Sequence, residues 1–429
     1  MPIAQHRVRA AVAAAGALTL IAALTGCGTS AGDTSSNLTL WSEWTNGAGG
    51  AGIAHTIDSW NKANPDLKVK HRPIGNEQYF PALRTGLSGT NPPDVIMLEP
   101  YQNTRDFVKA NKLVDMTSWW TAHKSNFIQA DAQSTVRACT VNGKVYCVPV
   151  GFNSHDVIYY NADLLAKYNM QVPTDYDQFL AEAAAFKSKG ITPISLGDKD
   201  GWPGSHWYFN FVVQRCGAST VYSAIEYTGA KWNDPCFVQA ATDLAKLAKA
   251  GYFPPGVASD DYDAMTALFL SGKVPFMQTG SWFAGGLVDQ PASFKLGTMA
   301  IPKITGAAHS SDVVGEAGDT IAIPTKGHNR AQVYKFLNLL TSQTEANFWA
   351  KQGYISAVKG AVANDGPPII QKILADFDSA TGVLAGVDLE VPPKLGEDVM
   401  YNQVSQLLTG SVTPQQFSDK IQATAEAVK

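Results

Sequence analysis

Apolar and polar positions alternate along this chain in two rhythms. Short apolar or alternating runs at 38–41, 67–74 and 93–98 predict strands. The last is apolar throughout from Val95 to Leu98, which predicts burial on both faces. Between them, residues 51–64 place Ile53, Ile57 and Trp60 on one helical face and stop at the turn signal Asn64-Pro65-Asp66. Residues 78–88, ended by Gly89, and 102–111 predict two further helices. Strand and helix so interleaved predict an α/β fold built on a parallel sheet with right-handed crossovers.

The same rhythm continues downstream. A strand is predicted at 157–160 and a helix at 162–168. A longer helix at 175–189 has Phe179, Ala183 and Phe186 on its inner face. Asn233-Asp234-Pro235 reads as a helix start, with Pro near the first turn, for a helix ending at Gly251. Helices at 262–270, 330–340, 345–352, 395–410 and 414–427, with short buried strands at 273–278 and 320–323, complete the pattern. Two α/β lobes are expected, each a mostly parallel sheet flanked by helices.

The start of the chain follows another logic. His6, Arg7 and Arg9 precede an apolar run from Ala10 to Ala23, then Leu24-Thr25-Gly26-Cys27. Basic, apolar and small residues in that order are a secretory signal. The run is shorter than the roughly 20 residues a stable membrane-spanning helix needs. With Cys at the cleavage point it resembles a bacterial lipoprotein signal. That implies a diacylglyceryl thioether on Cys27, which becomes the first mature residue. Residues 1–26 would be the signal and 27–37 a small, polar, flexible tether. The expected location is the extracellular face of a cell membrane, held by lipid.

Composition narrows the function. The 429 residues are 45% hydrophobic and 16% charged, with a net charge of -4, which argues against nucleic acid as a partner. Cys139, Cys147, Cys216 and Cys236 remain once Cys27 is set aside. Outside the cell an even number suggests two disulfides. Sequence order favours Cys139–Cys147 and Cys216–Cys236, although four cysteines permit three connectivities. The spacings lack CxxC and no His lies near them, so no metal is expected. Asn142-Gly143 marks a hairpin turn, and direct pairing of Cys139 with Cys147 would make it a three-residue loop centred on Gly143.

Several landmarks together resemble a known family. Asn61-Lys-Ala-Asn-Pro65 with Pro93-Asp94-Val95 is similar to the first lobe of extracellular sugar-binding proteins of ABC transporters, the maltodextrin-binding type. Gly143-Lys-Val-Tyr-Cys-Val-Pro149 and Tyr159-Tyr160-Asn161-Ala-Asp163-Leu164-Leu165 resemble its first crossing between lobes. Phe269-Leu-Ser-Gly272-Lys273, Gly280-Ser281-Trp282, Gly318-Asp319-Thr-Ile-Ala-Ile323, Val333-Tyr-Lys-Phe336-Leu337 and Leu340-Thr-Ser342 follow in the family's order. The resemblance implies a two-lobed fold with a ligand cleft between the lobes, 38–149 and 314–367 in one lobe and 150–313 and 368–429 in the other. It implies a sugar ligand, permease subunits as partners, no cofactor, no catalysis and a monomer.

A sugar site needs aromatic faces for stacking and planar polar groups for hydroxyls. Three clusters supply them. Glu43, Trp44 and Asn46 follow the first strand, at the end where open α/β sheets bind ligands. Glu99, after the third strand, would face the same cleft. Asp200, Trp202, His206 and Trp207 lie in a Gly/Pro-rich stretch that reads as a surface loop, with a helix opening near Trp207. Trp282 follows the strand at 273–278. Asn153, Glu316, Asp319 and Tyr354 lie at or beyond the crossings.

Two other chemistries have partial signatures in the sequence. Gly47-Ala-Gly49-Gly-Ala-Gly52 fits GxGxxG, but the next strand ends at His71-Arg72-Pro73 without the acid a dinucleotide site wants. These glycines are expected instead to turn backbone N–H groups toward the cleft. The carboxylates could serve a glycosidase, given a separation of roughly 5–9.5 Å across a bond. The expected function is sugar capture for an ABC importer, of an oligosaccharide rather than a monosaccharide. A secreted glycoside hydrolase and a glycan-binding surface receptor are the alternatives.

Overall fold

The computed structural model describes residues 37–128, 133–287, 291–361 and 367–429. The signal, Cys27 and the tether up to residue 36 lie outside them, as does Gly366 at the third expected crossing. The fold is α/β and two-lobed. One sheet has the order Val69–Pro73, Leu38–Ser42, Val95–Leu98, Thr320–Ala322, Cys147–Pro149. Its first three strands are parallel, while Thr320–Ala322 runs against both neighbours. The other has the order Leu296–Met299, Ile158–Asn161, Phe276–Gln278, Ile194–Ser195. There Ile158–Asn161 runs against both neighbours, and Phe276–Gln278 is parallel to Ile194–Ser195.

Two segments tie the sheets together. Phe152–Ser154 leads from the first sheet to the second, and Asp312–Ala317 leads back. They pair antiparallel, with Glu316 opposite Asn153, and Gly382–Leu384 adds a parallel third strand. The chain therefore crosses between lobes beside Glu316 and Asn153.

Local chemistry explains the framing helices. Gly47–Ala63 buries Ile53, Ile57 and Trp60 on one stripe. Tyr176–Ser188 starts where the Asp175 carboxylate accepts from the Gln178 N–H, and it buries Phe179, Ala183 and Phe186. All four residues of Val95–Leu98 are buried. Two disulfides join Cys139 to Cys147 and Cys216 to Cys236.

The structure corrects two expectations. The hairpin has a two-residue turn: Val141 pairs with Lys144, and Asn142 and Gly143 both take positive φ (51° and 74°). Cys139 O accepts from the Tyr146 N–H, so Cys147 sits one residue past the register and direct pairing of the cysteines fails. The Gly/Pro stretch is not a surface loop. A helix spans Trp202–Cys216, with Pro203 in its first turn and nearly every residue buried. Gly49 and Gly52 of the 47–52 stretch also serve packing. A Cβ on Gly49 or Gly52 would collide with Trp44 or Trp349, and Gly47, at φ 59°, lies against Gly285 and Gly286.

Candidate ligand-binding cleft

The first wall grows from the end of Leu38–Ser42. Trp44 turns back over the helix start, edge-on to Trp349 with centroids 5.1 Å apart. Its indole N–H donates to Asp319 Oδ2 at 2.8 Å, and the Tyr354 hydroxyl donates to the same oxygen at 2.5 Å. Burial raises the Asp319 carboxyl, while these two donors pull it down. Beneath them the Tyr79 hydroxyl, bonded to the carbonyls of Trp41 and Met97, feels Glu43, Glu99 and Asp319 at once.

The centre is acidic. Glu99 is held well above the usual carboxylate range by burial, then by Glu43, Glu316, Asp319 and Asp388. Four separate segments therefore converge on one place. A Cβ on Gly386 would lie 2.9 Å from Asp388 Oδ1, 3.0 Å from Glu316 Oε2 and 3.6 Å from His155 Cε1. Glu316 Oε2 accepts from the Gly386 N–H at 2.8 Å, and Glu316 Oε1 stands 3.2 Å from His155 Nε2. Burial opposes the imidazolium of His155, but Glu316 outweighs it and holds the ring above its ordinary value. Burial pushes Asp388 up to about 6, although the Tyr401 hydroxyl donates to it at 2.6 Å.

Next to His155 lies an aromatic cluster. Trp202, Tyr262 and Trp282 cluster with centroids 4.7 Å apart for Trp202–Tyr262 and 5.9 Å for Trp202–Trp282. The Trp282 N–H donates to the Tyr262 hydroxyl at 3.1 Å. His206 lies 5.2 Å from Trp202 and 4.4 Å from His155, so the two imidazoles join the cluster to the carboxylates. Burial, aided by His155, holds His206 well below its ordinary value.

Most of the predicted residues meet here, but not all. Trp44, Asp319 and Tyr354 are joined by hydrogen bonds, Glu316 is joined to His206, Trp202 and Trp282 through His155, and Glu43 and Glu99 act on the same region through their charges. Trp207 does not meet them. It is 1% exposed and packs against Phe179, Phe211 and Phe253, because helical spacing turns it away from Trp202. Asp200 accepts from the Tyr262 N–H at 3.0 Å and so positions Tyr262. Asn46 is exposed at the cap of Gly47–Ala63 and makes no side-chain cap bond. Asn153 folds its amide over Gly318 at the crossing. Sequence reasoning missed His155, Tyr262, Asp388 and Tyr401. Asp388 follows the strand Gly382–Leu384, so the rule that picked Glu43 and Glu99 would have found it had that strand been recognised.

The family described as bacterial extracellular solute-binding proteins matches residues 43–347. The chain is 24% identical over 350 residues to an uncharacterized ABC transporter extracellular-binding protein of Pyrococcus horikoshii, covering 80% of this chain and 76% of that one. It is 23% identical over 327 residues to a multiple sugar-binding protein of Streptococcus mutans, covering 74% and 75%. A structure solved in work on xylan utilization by Caldanaerobius polysaccharolyticus superimposes with a TM-score of 0.83 at 23% identity, covering 90% of this chain and 99% of that one.

Proposed function

Because this chain belongs to the bacterial extracellular solute-binding proteins, we propose that it captures a carbohydrate for an ABC importer and hands it to the permease subunits without chemistry. The observation that carries the reading is the aromatic cluster of Trp202, Tyr262 and Trp282, joined through His206 and His155 to the Glu316 carboxylate. Aromatic faces take the C–H faces of sugar rings, and carboxylates accept from hydroxyls. The sugar-binding relative in Streptococcus mutans supports the same ligand class. Three aromatic rings in one cluster favour an oligosaccharide over a single ring.

Capture works by closure. The lobes, with boundaries near residues 149–153, 311–316 and 366–369, rotate about the paired crossing strands Phe152–Ser154 and Asp312–Ala317. Sugar between the lobes adds contacts only to the closed state, so it shifts the population toward the form the permease reads. The chain acts as a monomer, anchored outside the membrane by lipid on Cys27.

Fluorescence titration of the tryptophans tests this. A saturable change with a di- or trisaccharide, without sugar turnover, supports capture. Release of reducing sugar would replace it with hydrolysis.

A further inference from the structure

Resting on lobe closure in the sugar-capture reading, we propose that Arg137 and Arg105, bonded across the lobes to Glu390 and Glu226, form a latch. It keeps part of the free protein closed and so sets sugar affinity without touching sugar. The two arginines belong to the first lobe. Arg105 lies on the helix Gln102–Lys109, which follows the strand Val95–Leu98 of the first sheet. Arg137 lies on the helix Gln133–Cys139, whose last residue is disulfide-bonded to Cys147 of the same sheet. The Thr104 hydroxyl donates to the Ala138 carbonyl at 2.9 Å, which ties the two helices to each other.

The two glutamates belong to the second lobe. Glu226 directly follows the helix Ala218–Ile225, and Glu390 ends the short helix Val387–Glu390. Tyr222 binds these segments together, since its hydroxyl accepts from the Ala385 N–H at 3.2 Å. The helix Trp202–Cys216 runs into Ala218–Ile225 through Gly217. It packs through Trp207 on Phe179, which in turn meets Phe276 of the second sheet.

Every bond among the four therefore crosses from lobe to lobe. Arg137 donates through Nε to Glu390 Oε1 at 2.8 Å, through Nη2 to Glu390 Oε2 at 3.0 Å, and through Nη1 to Glu226 Oε1. Its guanidinium also lies 4.7 Å over the Tyr222 ring. Arg105 Nη2 donates to the Glu390 carbonyl at 2.6 Å and to Oε2 at 3.3 Å. The Glu390 side chain is 0% exposed and both its carboxylate oxygens are taken, so no sugar reaches it. Opening about Phe152–Ser154 and Asp312–Ala317 parts the arginines from Glu390, Glu226 and Tyr222 together. The charges then regain water, which offsets part of the gain. A buried pair is favourable when its geometry is good and its remaining groups are bonded, as the fork on Glu390 and the second guanidinium provide. The latch thus raises the closed fraction, on which apparent affinity depends. Its members are positioning residues.

Small-angle X-ray scattering of the purified protein without sugar tests the latch by itself. Arg137→Ala should show a larger radius of gyration than wild type, and a saturating sugar should return it to the value of sugar-saturated wild type. Fluorescence titration with cellobiose, maltotriose and raffinose reads the consequence. A sugar that wild type binds should bind Arg137→Ala at least about tenfold more weakly, as expected when the closed fraction falls by that factor. Glu226 is 43% exposed, and its loss leaves Arg137 paired with Glu390. Glu226→Gln therefore spares the fold and should move both readouts the same way by less. A merely structural role would lower the melting temperature without a change in size that sugar reverses. Sugar-free size equal to wild type in both variants would overturn the latch and leave sugar capture standing. A larger sugar-free size in the variants, with wild type silent to all three sugars, would uphold the latch and turn against sugar capture.

Discussion

Trp44 and Tyr354 donate to the same oxygen, Oδ2 of Asp319, from sites 275 and 35 residues away in the chain. One carboxylate at the second crossing thus holds two aromatic side chains in place. Asp319→Ala leaves two buried donors without an acceptor, at a cost of about 1–3 kcal/mol each. Asp319→Asn keeps an acceptor oxygen and should cost less. Urea unfolding of the two variants checks the order, and equal losses would contradict it.

Trp202 and Trp207 lie five residues apart on one helix, and the sugar-capture proposal gives them different roles. Trp202→Ala should weaken ligand binding by about 10–100-fold, as loss of an aromatic anchor does, with little change in melting temperature. Trp207→Ala empties a packed site and should cost about 3–5 kcal/mol of stability. Calorimetry and thermal melts of the pair separate the roles.

Glu390 is a buried acceptor for two guanidiniums. Arg137 Nε reaches its Oε1 at 2.8 Å, and Arg105 donates to its carbonyl at 2.6 Å. Removing one partner of a buried pair costs about 3–5 kcal/mol. Glu390→Ala should fall in that range. Arg137→Lys should also destabilise, since an ammonium cannot reproduce the fork that bonds Glu390 through Nε and Nη2 and also reaches Glu226. Wild-type stability in both variants would contradict the assignment.

Stability should fall as pH rises through neutrality. Burial pushes Asp198 up to about 7 and Asp388 up to about 6. In the unfolded chain an Asp titrates near ~3.9. Their contribution is therefore full below about pH 4 and is lost as pH climbs through about 6–7. His206, held below its ordinary value, acts in the opposite sense, with its contribution lost as pH falls below about 6.5. Asp198→Asn isolates the Asp198 part. Its melting temperature should change less than wild type between about pH 5 and 8, and an unchanged slope would contradict the assignment.

Much of the fold was legible because its period is local. Ile53, Ile57 and Trp60 share a helical face whatever the helix packs on, and Val95–Leu98 is apolar on both faces. The helix Trp202–Cys216 was not legible over its first turn. Gly201, Pro203 and Gly204 read as loop, yet Pro suits a first turn, and Gly204 lets Asp198 approach and accept its N–H at 2.8 Å. Within the site, strand ends pointed to Glu43 and Glu99. His155 and Tyr401 were hidden because their roles depend on contacts with Glu316 and Asp388, which no local spacing encodes.

The most direct test of the account is tryptophan fluorescence of the purified protein titrated with neutral di- and trisaccharides, read beside the Trp202→Ala variant. The account predicts a saturable change with at least one sugar, no turnover of that sugar, and loss of the response in the variant. No response to any sugar from a protein folded by circular dichroism would contradict it.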